Sequence, residues 1–364
     1  MKEFVISEKE CGQRLDKYLF KVLDRAPGGF IYKMLRKKNI VLNDKKASGS
    51  EIIREKDCVR IYFSDETFAK FASSLPDGSA RKNREYPDRR GDLCREPDFD
   101  IVYEDADILV INKPAGLLSQ KAAPGDDSAN DRILSYLLSS GQLTAAELRT
   151  FHPSVCNRLD RTTSGLLIAG KTMRGLQQTG AQLKDRSVRK YYLALVWGKA
   201  DEPRYLRGCL SKDHRTNRVR ILPDEPLPDD RQEDTWAALY DSVQTRPAGR
   251  RAAPASGSSR IETSYRPLEY FGGATLLEVL LITGRSHQIR AHLASVGLFI
   301  LGDPKYGDSA VNHRLYRETG IHRQLLHAWR MELADGRILE AEEPDDFKKA
   351  KRWLAGSTVS GNFG

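Results

Sequence analysis

Apolar residues recur at helical spacing near the start of the chain. Leu15, Leu19 and Val22 repeat every three to four positions, and a second apolar segment with the same spacing follows shortly after them. This periodicity predicts two short amphipathic helices. The apolar runs at 40–42 and 58–63 predict strands that pack behind these helices. The pattern therefore indicates a small compact module at the N-terminus.

From residue 99 onward, short apolar runs alternate with segments of helical spacing. The runs that we interpret as strands are 108–111, 166–168, 191–197 and 275–283. We predict an α+β fold, in which a mixed, largely antiparallel β-sheet domain with flanking helices follows a small N-terminal α/β module.

Changes in composition predict where the domains begin and end. We expect a small N-terminal domain at 1–63, a linker rich in Ser, Pro, Asp and Arg at 64–97, a larger domain at 98–345 and a C-terminal tail at 346–364. Within the larger domain, the polar stretch 224–258 interrupts two strand-like segments, which predicts a loop or hairpin insertion.

Positive charge is concentrated in the N-terminal module. The 364-residue chain has a formal net charge of +9, and residues 1–63 contain 15 Lys/Arg against 9 Asp/Glu, a net of +6. An excess of this kind favours a polyanionic partner such as RNA, because neutralising phosphates releases counterions. An ordinary solvated face is the alternative. The candidate phosphate contacts around the two predicted helices are Arg14, Lys17, Lys33, Arg36, Lys37 and Lys38.

Several protein classes fit the sequence poorly. No apolar run approaches the roughly 18 residues of a membrane span, and the N-terminus does not resemble a signal peptide, so we expect a cytoplasmic protein without a membrane partner. The five cysteines are spread along the chain without a CxxC pair, which argues against a zinc site, a redox motif or a disulfide framework.

The segment from Asn157 to Gly165 concentrates residue types that carry chemistry. Asp160 stands between Arg158 and Arg161 at the entrance to an apolar run, where a rigid strand can position it. A carboxylate can act as a nucleophile or base, and a nearby guanidinium favours its charged form. The simpler alternative is that Asp160 only caps a turn or pairs with Arg161.

Two further segments contain candidate site residues. After a predicted strand, Ser286 is expected to cap a helix on which His287 and Arg290, three positions apart, share a face. The spacing of the histidines does not match a metal-binding helix, so we predict no metal site. On the strand at 191–197, side chains alternate between faces, and Tyr192 is a candidate platform for a base, with core packing as the alternative.

Five segments together are similar to the RluA family of pseudouridine synthases. In chain order they read NKPAGLL, NRLDRTTSGLLIAGKT, KYYLALVWG, TGRSHQIRAHLASVGLFILGDPKYG and LLHAWRMEL. RLDKYL, KMLRKKNIVLNDKK and KDCVRIYF resemble the small RNA-binding domain named after ribosomal protein S-four. The chain departs from the usual family pattern at Asn157, where a histidine is common, and at Ser119-Gln120, where a Val-His pair is common.

The resemblance implies that the domain at 98–345 is catalytic, and it implies roles for individual residues. It makes Asp160 the catalytic aspartate, packs Tyr192 against the target base, pairs Arg290 with Asp160 and assigns Arg158 to the flipped RNA. Arg161 is a further expected RNA contact.

The resemblance also implies a reaction and a partner. Isomerising uridine to pseudouridine involves no net redox change, so we expect the enzyme to need no small-molecule cofactor. We expect the enzyme to be a monomer. Its expected partner is structured RNA, with large-subunit (23S) ribosomal RNA favoured and transfer RNA as an alternative. A non-catalytic ribosome-assembly factor and a metal-dependent nuclease are alternatives from other classes.

Overall fold

A computed structural model of the protein describes residues 1–73, 99–213, 218–223 and 258–359. Most of the predicted linker at 64–97 and of the predicted insertion at 224–258 lies outside these residues, as do the last five residues of the predicted C-terminal tail. The chain divides into two compact units. The first contains residues 1–110, 120–158 and 168–181, and the second contains 111–119, 159–167 and 182–364.

The first unit begins with the predicted helices and strands. Its elements, in chain order, are β1 (Lys2–Val5), α1 (Leu15–Val22), α2 (Gly28–Arg36), β2 (Ile40–Leu42), β3 (Lys45–Lys46), β4 (Cys58–Ile61), α3 (Asp65–Phe71), β5 (Asp100–Glu104), β6 (Ile108–Lys113), α4 (Ala129–Ser139), α5 (Glu147–Thr150), β7 (Ser154–Val155), β8 (Ser164–Gly170) and α6 (Met173–Lys184). Strands β6 and β8 and helix α6 each run across the division between the units.

The N-terminal helices pack on an antiparallel sheet of order β1-β4-β2-β3. Their apolar faces are buried as the spacing predicts, with Leu15, Leu19 and Ile31 inaccessible to solvent. Lys21 Nζ donates to the carbonyl of Thr150 at 2.7 Å, and Lys9 pairs with Glu147 at 2.9 Å. These contacts join the N-terminal segment to helix α5 within one unit. The division of the chain at residues 63 and 97 stays a prediction from sequence.

The second unit is built on a mixed sheet. Its further elements are β9 (Arg189–Trp197), β10 (Arg204–Asp213), β11 (Arg218–Pro223), β12 (Ser258–Tyr270), β13 (Ala274–Leu281), α7 (Gln288–Ser295), β14 (Phe299–Ile300), α8 (Ser309–Thr319), β15 (Leu326–Glu332), β16 (Ile338–Glu340) and α9 (Asp345–Val359). The strand order is β11-β10-β12-β13-β9-β15-β8. Strands β8 and β15 run parallel. The other hydrogen-bonded strand pairs described in this unit are antiparallel. The predicted α+β fold with a mixed, largely antiparallel sheet is confirmed.

Helix α9 covers most of the segment that we set apart as a C-terminal tail. Its residues Phe347, Ala350 and Leu354 are buried, and they pack in one cluster with Leu325 and with Leu195 of strand β9. Burial of this apolar face explains why the segment is helical. No helix among the described residues has the length and hydropathy that a membrane crossing would need.

Gly165 allows strands β8 and β15 to approach each other closely. Its φ is +110°, and a Cβ atom built at this position would overlap the backbone of Ala328, the residue opposite it on β15. A side chain there would strain the backbone and push β15 away. The first residues of β8 follow Asp160 by only a few positions, so this contact also fixes the loop that contains Asp160.

We expect Gly165→Ala to destabilise the protein by about 3 kcal/mol, because strain at positive φ and the overlap with Ala328 add together. Gly180→Ala is the matched control. Gly180 lies in helix α6 with open space around its missing Cβ, so alanine there should stabilise the protein by roughly 0.5–1 kcal/mol. Urea unfolding of both variants measures the difference, and equal midpoints would contradict the close-approach argument.

Candidate active site

Asp160 is held by a guanidinium that two carboxylates share. Arg290 Nη1 donates to Asp160 Oδ2 at 3.0 Å, while its Nε and Nη2 donate to Asp303 Oδ2 and Oδ1 at 2.7 and 2.8 Å. The Asp303 side chain is completely buried, whereas that of Asp160 is 25% exposed. Arg290 therefore links a carboxylate in the interior to one that solvent or a ligand can reach.

Asp303 acts as the fixed end of this arrangement. Its Oδ1 also accepts backbone N–H bonds from Lys305 at 2.8 Å and Tyr306 at 3.1 Å. Burial alone would raise the pKa of Asp303, but the bonds from Arg290 and from these backbone groups outweigh it and lower that pKa. Asp303 is therefore an anion at neutral pH that holds Arg290 in one orientation. The pKa of Arg290 is correspondingly raised, although burial opposes this.

Helix α7, which carries Arg290, begins at a different residue from the one predicted. His287, not Ser286, occupies the N-cap position, with a left-handed backbone at φ 57° and ψ 13° and no side-chain capping bond. The prediction that Ser286 caps the helix is therefore wrong. Gln288 instead anchors the first turn: its Nε2 donates to the Glu262 carbonyl at 2.9 Å and its Oε1 accepts from the Arg285 N–H at 3.1 Å.

The loop that contains Asp160 is held through its backbone. Lys113 is fully buried, and its Nζ donates to the carbonyls of Pro114 and Leu117, each at 2.8 Å, and of Arg161 at 3.3 Å. Three carbonyl acceptors match the three N–H bonds of an ammonium group. Burial, together with the charge of Arg323, lowers the pKa of Lys113 to about 7, although Asp160 opposes the shift.

Two residues at which the chain departs from the family pattern have structural partners. Ser119 Oγ donates to the Leu159 carbonyl and accepts from the Leu159 N–H, both at 2.9 Å, so it clamps the residue before Asp160. Asn157 Oδ1 accepts from the Ile168 N–H at 2.8 Å. Both side chains hold the backbone that leads into or away from Asp160.

Tyr192 is buried on strand β9, and its pKa is raised by burial and by the negative charge of Asp160. Its hydroxyl makes no hydrogen bond to any residue that the structure describes. His287 also approaches the carboxylate, with Nε2 4.0 Å from Asp160 Oδ2. The second unit thus brings together Asp160, Tyr192 and Arg290, the three predicted catalytic residues, and adds His287 to them.

The predicted RNA contacts lie at the surface. Arg158 is exposed in the first unit. Arg161 is exposed in the second unit, and its Nε donates to the Gly116 carbonyl at 3.0 Å. Arg14 is exposed but pairs with Asp16 at 2.7 Å. The other basic candidates of the N-terminal module are all exposed, namely Lys17, Lys33, Arg36, Lys37 and Lys38.

Sequence reasoning did not single out Lys113, Asp303 or Tyr306 as part of the site. Each lies within a segment that the family resemblance covers, NKPAGLL or GDPKYG, and this was the available signal. A lysine ahead of a proline gives no indication that it is buried, and the pairing of Asp303 with Arg290 depends on how the chain turns after helix α7.

Comparison with known proteins agrees with the segments found in the sequence. Residues 107–295 match the family model described as RNA pseudouridylate synthase. The chain is 33% identical over 272 residues to ribosomal large subunit pseudouridine synthase D of Nitrosomonas europaea, which covers 71% of this chain and 67% of that protein. It is 29% identical over 329 residues to ribosomal large subunit pseudouridine synthase C of Vibrio cholerae, covering 89% and 85%.

The fold is also similar to a solved structure. Human RNA pseudouridylate synthase domain containing 4 superposes with a TM-score of 0.52 at 21% identity, covering 71% of this chain and 93% of that one. At this identity the likeness concerns the fold.

We expect Asp303→Asn to destabilise the protein by about 3 kcal/mol, because it removes one charge of a buried ion pair and leaves the Arg290 guanidinium under-compensated. Asp335→Asn is the matched control. Asp335 pairs with Arg337 at the surface, where such a pair contributes less than about 1 kcal/mol. Chemical unfolding at neutral pH compares the two, and a loss at Asp303 no larger than at Asp335 would contradict this role.

Stability should also decrease in mild acid because of His327. Its Nδ1 meets Ser164 Oγ at 2.9 Å, and burial lowers its pKa to about 4. The unfolded chain takes up this proton near pH 6.5, so the stabilisation is complete above pH 6.5 and is lost as pH falls towards 4. Over that range we expect His327 to contribute roughly 2–3 kcal/mol to the decrease in unfolding free energy.

Urea unfolding at pH 7.5, 6 and 5 measures this dependence. The comparison between the wild type and His327→Gln isolates the histidine from the carboxylates that titrate in the same range. The exposed His313 gives the control His313→Gln. A wild-type slope that His327→Gln leaves unchanged would show that another group causes the decrease.

Proposed function

The chain belongs to the RNA pseudouridylate synthase family, and we propose that it isomerises specific uridines in structured large-subunit ribosomal RNA with Asp160 as the reacting carboxylate. The observation that carries this proposal is the pairing of the partly exposed Asp160 with Arg290, which the buried Asp303 holds from behind. The ribosomal substrate is supported by the names of the two bacterial relatives, both called ribosomal large subunit pseudouridine synthases.

The reaction breaks the bond between ribose C1′ and uracil N1, rotates the base and forms a bond between C1′ and C5. C5 then loses its proton and N1 gains one, so that atoms and charge balance. A carboxylate can assist by attacking the sugar, by adding to the base or by deprotonating the ribose. Each route needs an oriented carboxylate whose negative charge is balanced nearby. Arg290 supplies this balance at 3.0 Å from Asp160 Oδ2, and a preorganised ion of this kind does not have to reorient during the reaction.

Tyr192 is proposed to pack against the target base. Its side chain is buried on strand β9 and lies within the electrostatic influence of Asp160. An aromatic ring close to the reacting carboxylate can bind a uracil that has flipped out of the RNA, because the ring replaces the base stacking that the uracil has lost and excludes water.

The exposed arginines beside Asp160 are proposed to contact the RNA backbone. Arg158 and Arg161 flank the carboxylate in sequence, and both are exposed. We assign Arg158 to the flipped nucleotide. Arg161 has one donor engaged with the Gly116 carbonyl, which leaves the rest of its guanidinium group for a phosphate.

We propose that the N-terminal module captures structured RNA through its basic surface. Arg14, Lys17, Lys33, Arg36, Lys37 and Lys38 are all exposed, and the last five make no ion pair with any described residue. Phosphate contacts of this kind add affinity without reading sequence. The module would raise the local concentration of RNA at the catalytic domain.

We expect Asp160→Asn to lower pseudouridine formation by more than about a thousandfold, because the amide cannot replace the reacting carboxylate. Asp201→Asn is the control, since Asp201 is an exposed residue paired with Lys199, and it should keep full activity. Pseudouridines are mapped in total RNA from cells that contain the wild type, either variant or no copy of the gene.

Sites that disappear both in the deletion and with Asp160→Asn identify the targets and separate ribosomal from transfer RNA. If Asp160→Asn keeps every site that the wild type modifies, the assignment of Asp160 fails. If no site depends on the gene at all, the alternative of a non-catalytic RNA-binding factor is supported instead.

A further inference from the structure

His287 is aimed at Asp160 by a backbone conformation that non-glycine residues seldom adopt. Its φ of 57° lies in the left-handed region, which costs free energy and is retained where the surrounding structure requires it. Its imidazole is 12% exposed, with Nε2 4.0 Å from Asp160 Oδ2. The other ring nitrogen, Nδ1, lies 3.1 Å from the Tyr306 hydroxyl. The ring is therefore held between the carboxylate and the phenol.

The hydrogen bonds of Tyr306 favour one tautomer of the His287 imidazole. The Tyr306 oxygen accepts the Val219 N–H at 2.9 Å, which leaves its own hydrogen to be donated. The Nδ1 atom of His287 is the acceptor within reach, and a Tyr306 hydroxyl that donates to it requires this nitrogen to be unprotonated in the neutral ring. The hydrogen of the imidazole is then on Nε2, the atom that faces Asp160.

Burial and the nearby positive charges keep His287 neutral near pH 7. Burial is the largest effect and lowers the pKa of His287. The positive charges of Arg290 and Lys305 lower this pKa further, whereas the negative charges of Asp160 and Asp303 oppose the shift. The charged or titratable groups that face the ring are Asp160 before strand β8, Arg290 on helix α7, and Asp303, Lys305 and Tyr306 after β14.

The two oxygens of Asp160 have different surroundings. Arg290 donates to Oδ2, and His287 Nε2 approaches the same oxygen. Within the part of the chain that the structure describes, Oδ1 accepts no hydrogen bond. A carboxylate restrained through one oxygen presents the other in a defined direction.

We propose that His287 is a positioning residue for the reaction. Its neutral Nε2–H faces Asp160 Oδ2 at 4.0 Å, too far for a hydrogen bond, and acts on that oxygen electrostatically beside the Arg290 bond. The Tyr306 hydroxyl fixes this tautomer, and Oδ1 is left as the reacting oxygen. The inference rests on the proposed function for its catalytic consequence, but the tautomer itself is independent of activity. The Tyr306 ring also lies under the Arg290 guanidinium, with Arg290 Cζ 5.2 Å from the centroid of the ring. Phenylalanine at position 306 keeps this contact and removes only the hydroxyl.

The first experiment measures the tautomer without RNA. In the full-length protein with ¹⁵N-labelled histidine, the imidazole nitrogen shifts of His287 are assigned by comparison with His287→Gln. The expected result at pH 7.5 is a neutral ring protonated on Nε2, and a mixture of tautomers in Tyr306→Phe. A wild-type ring protonated on Nδ1, or charged at this pH, would overturn the proposal whether or not the protein modifies RNA.

The second experiment measures single-turnover pseudouridine formation on ribosomal RNA purified from cells that lack the gene. Tyr306→Phe and His287→Gln are each expected to lower the rate by roughly three- to tenfold, because each removes the oriented Nε2–H dipole that faces Asp160 Oδ2. In the His287→Gln background, Tyr306→Phe should change the rate less than twofold, because it acts through the imidazole. Tyr316→Phe, at an exposed tyrosine, is the control and should match the wild type.

A pH profile separates positioning from a general loss of stability. The wild-type rate should fall in acid at a pH lower than the ordinary histidine value of about 6.5, because burial lowers the pKa of His287 and its protonation removes the acceptor for Tyr306. His287→Gln should lack this decrease. The inference would be contradicted if the two substitutions lowered the rate independently, or if His287→Gln kept the decrease of the rate in acid, in each case with an active enzyme. Wild-type protein that modifies no RNA would instead contradict the proposed function.

Discussion

The site depends on one buried guanidinium that is shared between two carboxylates. Arg290 satisfies Asp303 with two of its donors and Asp160 with a third. Removing charges from water is unfavourable, and the cost is offset only when the geometry is good and the remaining donors and acceptors are paired. Asp303 meets this condition through Arg290 and two backbone N–H groups. Helix α7, the turn after strand β14 and the loop before β8 must therefore keep fixed positions within the second unit.

The same loop is held through both its backbone and its side chains. Lys113 binds the carbonyl of Arg161, Ser119 bonds to both peptide groups of Leu159, and Gln324 bonds to the hydroxyls of Thr162 and Thr163. The bonds within this loop fix the position of the Asp160 Cα atom, and the bond from Arg290 fixes the position of its carboxylate. A carboxylate restrained at both ends loses little further freedom when a substrate binds, which is the condition for preorganised catalysis.

Much of the architecture follows from local pattern, whereas several contacts of the site do not. The strands at 108–111 and 191–197 are apolar runs, and the alternation along β9 separates Tyr192 from Tyr191 correctly, because side chains on a strand alternate by geometry alone. The proximity of Asp160 and Arg290, 130 positions apart, came from the family resemblance and not from any periodicity. The cap at Ser286 is wrong because His287 adopts a left-handed backbone, which local propensity does not favour.

Lys113 has a consequence for chemical labelling. Its amine is the nucleophilic form in a larger fraction of molecules near neutral pH than that of a surface lysine, because its pKa is about 7, yet its side chain is inaccessible to solvent. An amine-directed reagent can reach it only when the loops around Asp160 open. The rate at which Lys113 is acylated would then report how often the loop that contains Asp160 leaves its native position, which makes Lys113 an internal probe of local unfolding.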